Sequence, residues 1–333
     1  VISHELQAYA KVLSVIFMKP NLFIVGQPKT GTTALHQFLG QHPEIYMSSI
    51  KEPHFFCADF HLESDRAYGK QRFYDFRSES AYLQLFSKAK NVKIAGESST
   101  NYLYSQVAAE KIYNFNPDAK IIIVLREPAK FLYSLHSHYV KFTEENEPDF
   151  LTALALETKR KQEEALSPRV TSPSYLYYSQ RVQYYQQVKR YCDRFKPEQI
   201  KVIIFEEFKS ANEQIFREVL EFLGVEPNFT PEYSAINVNK EVKFKAVNNL
   251  LNNPVAKSIS KNVLSQEFND FVRDNIVEKL LWHQAPKAKI PEEIKLQLRQ
   301  QYQPEVAKIS ELLQLDLLSK WGYDNFSDES SNK

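Results

Sequence analysis

The chain has 333 residues, 43% of them hydrophobic, enough to bury a substantial core in one large or two modest domains. Its 42 basic and 41 acidic residues nearly cancel to a formal net charge of +1, which argues against a surface built to grip a long polyanion such as nucleic acid or heparan. Two widely separated cysteines, Cys57 and Cys192, argue against a disulfide framework, and no apolar run approaches the length a bilayer requires. In chain order, residues 2–18 place Ile2, Leu6, Tyr9, Leu13, Ile16 and Phe17 at helical spacing. That pattern predicts a docking helix or linker over 1–20, ahead of one domain over 21–326 and a polar tail over 327–333. Strands are expected at 22–25, 92–95, 121–125 and 201–205, each a short apolar or β-branched run. Helical patterns lie between them at 32–39, 105–115, 128–142, 175–195 and 212–223, with Pro128 at a permitted first-turn position. The charged stretch 144–170 reads as a helix-bearing insertion, and 268–281 and 291–313 as further helices. Alternating strands and helices define an α/β class with a central parallel sheet flanked by helices.

The most informative segment is NLFIVGQPKTGTTALHQFLG at 21–40. Gly26 and Gly31, two of only 7 glycines, bracket a turn between an apolar strand and a helix. Glycine lets backbone approach an anion closely, and the following helix N-terminus offers unpaired N–H groups and about half a positive charge. Lys29 and the hydroxyls of Thr30, Thr32 and Thr33 complete what reads as a 5′-phosphate cradle. The spacing differs from the nucleoside-triphosphate loop G-x-x-x-x-G-K-[ST]: the lysine sits two places before the second glycine and a threonine takes its usual position. Where an NTPase needs an Asp for magnesium at a neighbouring strand end, the strand at 121–125 delivers Arg126. Its planar fork suits a second phosphate, so the chain is expected to hold two separated phosphates without a metal.

PKTGTT after a strand, followed by LREP with Ser134 eight residues beyond Arg126, resembles the sulfotransferase family that uses 3′-phosphoadenosine 5′-phosphosulfate. A third segment, KEPHFF at 51–56, is similar to the stretch carrying the acceptor-activating glutamate in the glycan and bacterial branches. The likeness covers 21–321 and rests on general pattern beyond Ser134. It implies a P-loop-like sulfotransferase fold with helical additions, with Lys29, Thr30, Gly31, Thr32 and Thr33 on the 5′-phosphosulfate and Arg126 and Ser134 on the 3′-phosphate. Many members carry arginine at the position of Lys130, where this chain has only the charge.

Sulfuryl transfer requires the leaving phosphate to be neutralised and the acceptor proton removed. Lys29, a flexible point charge, suits the first task, and Glu52 is the expected base. His54 is the chemical rival, and an extended 50–56 segment would project both side chains to one side. A structural Glu52 would pair with Lys51 or Arg72, and a structural Arg126 with a carboxylate such as Glu97. His136 and His138, at i and i+2 on one helix, make a poor metal pair. GESSTNY at 96–102 reads equally as an acceptor-side loop or as a turn with capping hydroxyls. Tyr184 is a candidate for the adenine edge, and residues 237–245, with Lys243 or Lys245, for a closing loop.

The N-terminus lacks a signal pattern, so the chain reads as soluble and cytoplasmic; beginning with Val, it reads as an excised or trimmed domain. Sulfotransferase domains of bacterial polyketide assembly lines are similar in these respects. That resemblance implies an acceptor hydroxyl on a β-hydroxyacyl chain held by an acyl carrier protein. A glycan or small alcohol is the alternative acceptor; a kinase-like phosphoryl transferase and a non-catalytic nucleotide-binding module are the alternatives of other classes.

Overall fold

Leu22–Gly26 forms the central strand of a five-stranded sheet because five consecutive apolar or small residues can be buried on both faces. The computed structural model describes residues 18–233, 240–242, 282–284 and 289–324. Its strands are β1 (Leu22–Gly26), β2 (Ile45–Met47), β3 (Ile94–Ser98), β4 (Lys120–Leu125) and β5 (Ile200–Ile204), in the spatial order β2-β3-β1-β4-β5. Every neighbouring pair is parallel. The longer helices are α1 (Thr32–Leu39), α2 (Ala58–Tyr68), α3 (Ala108–Phe115), α4 (Pro128–Lys141), α5 (Tyr184–Cys192), α6 (Asn212–Leu223) and α7 (Glu292–Leu313). This is the α/β arrangement expected from the sequence. No helix among the described residues is long and apolar enough to cross a membrane.

The chain divides into two compact units: residues 1–233 with 290–333, and residues 234–289. In the second, β6 (Lys240–Val242) pairs antiparallel with β7 (Trp282–Gln284). The expected helices at 2–18 and 268–281, and the candidate cations Lys243 and Lys245, lie outside the described residues.

Several boundaries differ from the sequence reading, each for a local reason. β3 begins two residues later than expected and runs to Ser98, which carries the polar residues Glu97 and Ser98 into the sheet. β2, only three residues long, is too short to announce itself by periodicity. The helix expected over 175–195 is broken into a 3₁₀ turn (Pro173–Leu176), a short helix (Tyr178–Arg181) and α5. At that break Gln187 Nε2 donates to the carbonyls of Gln180 and Arg181 at 2.9 and 3.3 Å, so side-chain amides replace the missing helical bonds. The 144–170 insertion does carry helix, at Phe150–Ala155 and Glu157–Lys161. It is held by a fully buried ion pair, Arg160 to Glu145 at 2.8 Å, with Tyr178 donating to the second carboxylate oxygen at 3.0 Å.

Candidate active site

Ligand sites in such folds form at the carboxyl ends of the strands, where β1, β2, β3 and β4 here deliver four candidate segments. After β1 the chain turns within a few residues. A Cβ added to Gly26 would stand 2.6 Å from Leu103 Cβ and 3.0 Å from the Thr100 carbonyl, so only glycine fits. Lys29 (φ 64°) and Gly31 (φ 80°) both adopt the left-handed conformation, the kind of backbone from which anion nests are built. Thr30 Oγ1 donates to the Gln27 carbonyl at 2.6 Å, so its hydroxyl proton braces the loop from inside. α1 then starts at Thr32 with no side chain bonded to its first-turn N–H groups.

β4 delivers Arg126 beside this loop, where Nη1 donates to the Lys29 carbonyl at 3.0 Å and the guanidinium lies 4.9 Å from the centre of the Phe205 ring. Its Nε is buried and bonds to nothing among the described residues. Burial presses its pKa downward, yet no carboxylate among the described residues ion-pairs with it. The pairing with Glu97 considered from sequence is therefore absent. Phe205 and Phe208, which follow β5, also wall Gly31: a Cβ there would lie 3.3–3.4 Å from both rings. These aromatics were missed because nothing marks them in a chain with 23 phenylalanines.

The glutamate of LREP has its own task. Glu127, fully buried, caps α4 by accepting from Ala129 and Lys130 N–H at 3.3 and 2.9 Å, and it also binds Arg299 and the Tyr323 hydroxyl. Ser134 is half-buried two turns into α4, and His138 follows one turn further on the same face. Burial and the nearby Lys29 charge hold His138 down to about 3, which places it beside the cradle and keeps it neutral. Sequence reading considered His138 only as half of a rejected metal pair; its i, i+4 relation to Ser134 is the signal that could have found it. Tyr184 is fully buried and donates to the Arg126 carbonyl at 3.0 Å, so it supports the arginine from within the core and does not offer an adenine edge.

The 50–56 segment is not extended. Glu52 (φ 62°) and His54 (φ 53°) are both left-handed, with Pro53 between them. Their side chains nevertheless converge, with Nε2 of His54 3.7 Å from Oε2 of Glu52. The run after Gly96 explains how. The Ser98 carbonyl accepts from Glu52 N–H at 2.9 Å, and Ser99 Oγ accepts from His54 N–H at 3.0 Å. Thr100 Oγ1 donates to Glu52 Oε1 at 3.3 Å, Asn101 Nδ2 lies 3.3 Å from His54 Nε2, and the Tyr102 hydroxyl accepts from Phe56 N–H at 3.4 Å. Five consecutive residues thus grip the Lys51–Phe56 stretch.

Lys51 forms an ion pair with Glu52, whereas Arg72 stacks on Tyr68 and donates to the Pro168 carbonyl. Burial opposes ionisation of Glu52, but Lys51, His54 and Thr100 together outweigh it and hold the carboxyl below its ordinary value. Its side chain keeps 35% exposure, so a ligand can reach it. Burial lowers the His54 pKa, against the opposing pull of Glu52. His36, depressed to about 4 by burial and Lys51, ties α1 to this segment through Ser98 Oγ at 3.0 Å and the Ser48 carbonyl at 3.1 Å.

A glycine-bracketed loop between strand and helix, with an arginine that has no carboxylate partner among the described residues at the end of the adjacent strand, defines an α/β protein of the P-loop-like kind. The sulfotransferase domain profile matches residues 19–312, and the chain belongs to that family. A sulfotransferase from Alicyclobacillus acidocaldarius has the same fold, with a TM-score of 0.66 and 28% identity over 92% of this chain and 99% of its own. Human bifunctional heparan sulfate N-deacetylase/N-sulfotransferase 3 is 27% identical over 221 residues, 63% of this chain and 23% of the relative. Human carbohydrate sulfotransferase 15 is 30% identical over 159 residues, 36% of this chain and 27% of the relative. The chain spans about a quarter of the length of these curated relatives.

Proposed function

We propose that the chain moves a sulfuryl group from 3′-phosphoadenosine 5′-phosphosulfate to an acceptor hydroxyl, with 3′-phosphoadenosine 5′-phosphate as the product. The observation that carries this reading is the Arg126 to Lys29 carbonyl bond, which ties together the two segments proposed to hold phosphate. The residues fit the nucleotide. Among the described residues, Arg126 keeps a buried Nε without a partner and α1 has no side-chain cap on its first-turn N–H groups. The loop residues Lys29, Thr30, Gly31, Thr32 and Thr33 would hold the 5′-phosphosulfate, and Arg126 with Ser134 the 3′-phosphate. When bound, the donor supplies an activated sulfuryl group on a phosphate leaving group.

Lys29 neutralises charge on the departing phosphate oxygen, a contribution made chiefly in the transition state. Glu52, ionised at neutral pH, accepts the acceptor hydroxyl's proton at one of its carboxylate oxygens. Replacing Glu52 by Gln should lower kcat/KM about 10²-fold or more, and His54→Gln by less; a fully active Glu52→Gln enzyme would hand the proton to His54.

The β-hydroxyacyl chain of an acyl carrier protein is the first acceptor proposed, because a net charge of +1 gives a long polyanion little overall attraction. A sugar hydroxyl is the second, favoured by relatives named as heparan sulfate and carbohydrate sulfotransferases. Both cysteines are free, which supports a reducing, cytoplasmic setting. Labelled donor supplied with carrier-bound hydroxyacyl chains, free alcohols and glycans tests the reading. Transfer to one class fixes the acceptor, and bisphosphate binding without transfer to any would make the chain a binding module.

A further inference from the structure

Behind the acceptor side lies a carboxyl group that the proposed chemistry does not use. Glu97, on β3, is fully buried, and no cation among the described residues forms an ion pair with it. Its two oxygens receive three hydroxyl groups: Tyr102 at 2.7 Å and Tyr82 at 3.0 Å on Oε1, and Ser99 at 2.7 Å on Oε2. The Ser99 oxygen that donates to Glu97 is the same atom that accepts from the backbone N–H of His54. An unbroken line of hydrogen bonds therefore runs from Glu97 through Ser99 to the segment carrying Glu52 and His54.

We propose that Glu97 is the positioning residue of the acceptor side, acting as an ionised hydrogen-bond hub that orients Ser99 and thereby holds the left-handed Glu52–His54 turn in its working geometry. The claim rests on the sulfuryl-transfer reading given above for what the turn does, but the hub itself is a matter of geometry. A carboxylate can accept three donors; a protonated carboxyl brings a proton of its own. Oε2, with a single donor, is the oxygen where that proton fits, and Ser99 must then turn its own hydroxyl away. The Ser99 oxygen would then be shared between the Glu97 proton and the His54 N–H, and its hold on the turn would loosen.

The surroundings set where the change falls. Burial raises the Glu97 carboxyl to about 7 against the pull of Ser99, Tyr102 and Tyr82, and the charge of Glu52 adds to the rise. The other titratable groups facing it are Cys57 at the start of α2 and Tyr191 on α5. Both are pushed up by burial, as are Tyr82 and Tyr102, so all four are neutral where Glu97 titrates. Glu52 is the charged group among them.

The test uses the full chain labelled with ¹⁵N, following the His54 backbone amide between about pH 5.5 and 8.5. The expected result is a titration of that amide with a midpoint near 7 in the wild type, absent in Glu97→Gln and in Ser99→Ala. In turnover, Glu97→Gln should lose about tenfold or more in kcat and lose the acid limb near 7, with the dissociation constant for the 3′,5′-bisphosphate unchanged within about twofold. A His54 amide that ignores pH in the wild type overturns the proposal, as does Glu97→Gln with wild-type kcat and pH profile. If Glu97→Gln fails to fold, Ser99→Ala decides: a flat amide supports the link and a persisting titration refutes it. Should no acceptor be sulfated at all, the transfer reading fails while the amide titration still reports on the hub.

Discussion

The two sides of the candidate site are built from different parts of the chain's chemistry. On the proposed nucleotide side the work falls to backbone: a glycine that nothing else can replace, two left-handed residues and a helix end with no side-chain cap among the described residues. On the acceptor side it falls to side chains, with four hydroxyl or amide groups from 99–102 and the Glu97 carboxylate fixing a turn that has no regular structure of its own. Backbone recognition suits a fixed, highly charged ligand. A side-chain clamp suits a base that must be held against the pull of Lys51 and still remain reachable.

The largest effect that would break this contrast is at Lys29. Lys29→Ala should cost about 10²–10³ in kcat with much less change in bisphosphate affinity, because the lysine charge matters where leaving-group charge develops. Equal losses in both, measured by single-turnover kinetics and calorimetry, would make Lys29 another ground-state anchor. Next comes the pH dependence of stability. Because Glu97 titrates near 7 in the folded chain and at 4.5 when unfolded, the unfolded chain releases its proton first as pH rises. The stabilisation is present in full below about 4.5, is lost progressively up to about 7 and then levels off, by about 3 kcal/mol in total. Urea unfolding of wild type and Glu97→Gln at pH 5 and 8 checks the sign, since the variant should lack this fall. The ionised state proposed as active is thus the less stable one, as expected where function strains the fold.

The same contrast explains what the sequence could show. The strand–turn–helix proposed as a cradle was legible because glycine spacing acts locally, and the sheet was legible because buried parallel strands are continuous apolar runs. The acceptor turn was only half legible. Glu52 and His54 were recognised, but their convergence was expected from an extended strand and arises instead from two left-handed residues pinned by groups 45 to 48 positions away. Serine, threonine and asparagine at a strand end read the same whether they bind substrate, cap a turn or hold a neighbouring segment, and only the tertiary pairing decides. Likewise Tyr184 could not be told from a base-stacking residue until its hydroxyl was seen to serve Arg126 from the core.

Arg126→Ala should weaken bisphosphate binding by about 1.5–3 kcal/mol, roughly tenfold to a hundredfold, the value of charge-assisted hydrogen bonds. kcat at saturating donor should change far less, and calorimetry against single-turnover kinetics separates the two. A parallel fall in kcat would mean that the Lys29 carbonyl contact also aims the lysine, drawing a side-chain brace into the backbone cradle.

The smallest effect tests the seam between the two sides. Thr100 belongs to both: its carbonyl is one of the groups that forbids a Cβ on Gly26, and its hydroxyl donates to Glu52 Oε1. Thr100→Val keeps shape and backbone but removes the hydroxyl, at a cost of about 1 kcal/mol for one net hydrogen bond. If the two sides are mechanically separate, kcat should fall several-fold while bisphosphate affinity and Tm stay near wild type. If affinity falls as well, the turn's grip on Glu52 reaches Gly26 through the Thr100 backbone, and the cradle is set partly by the clamp beside it.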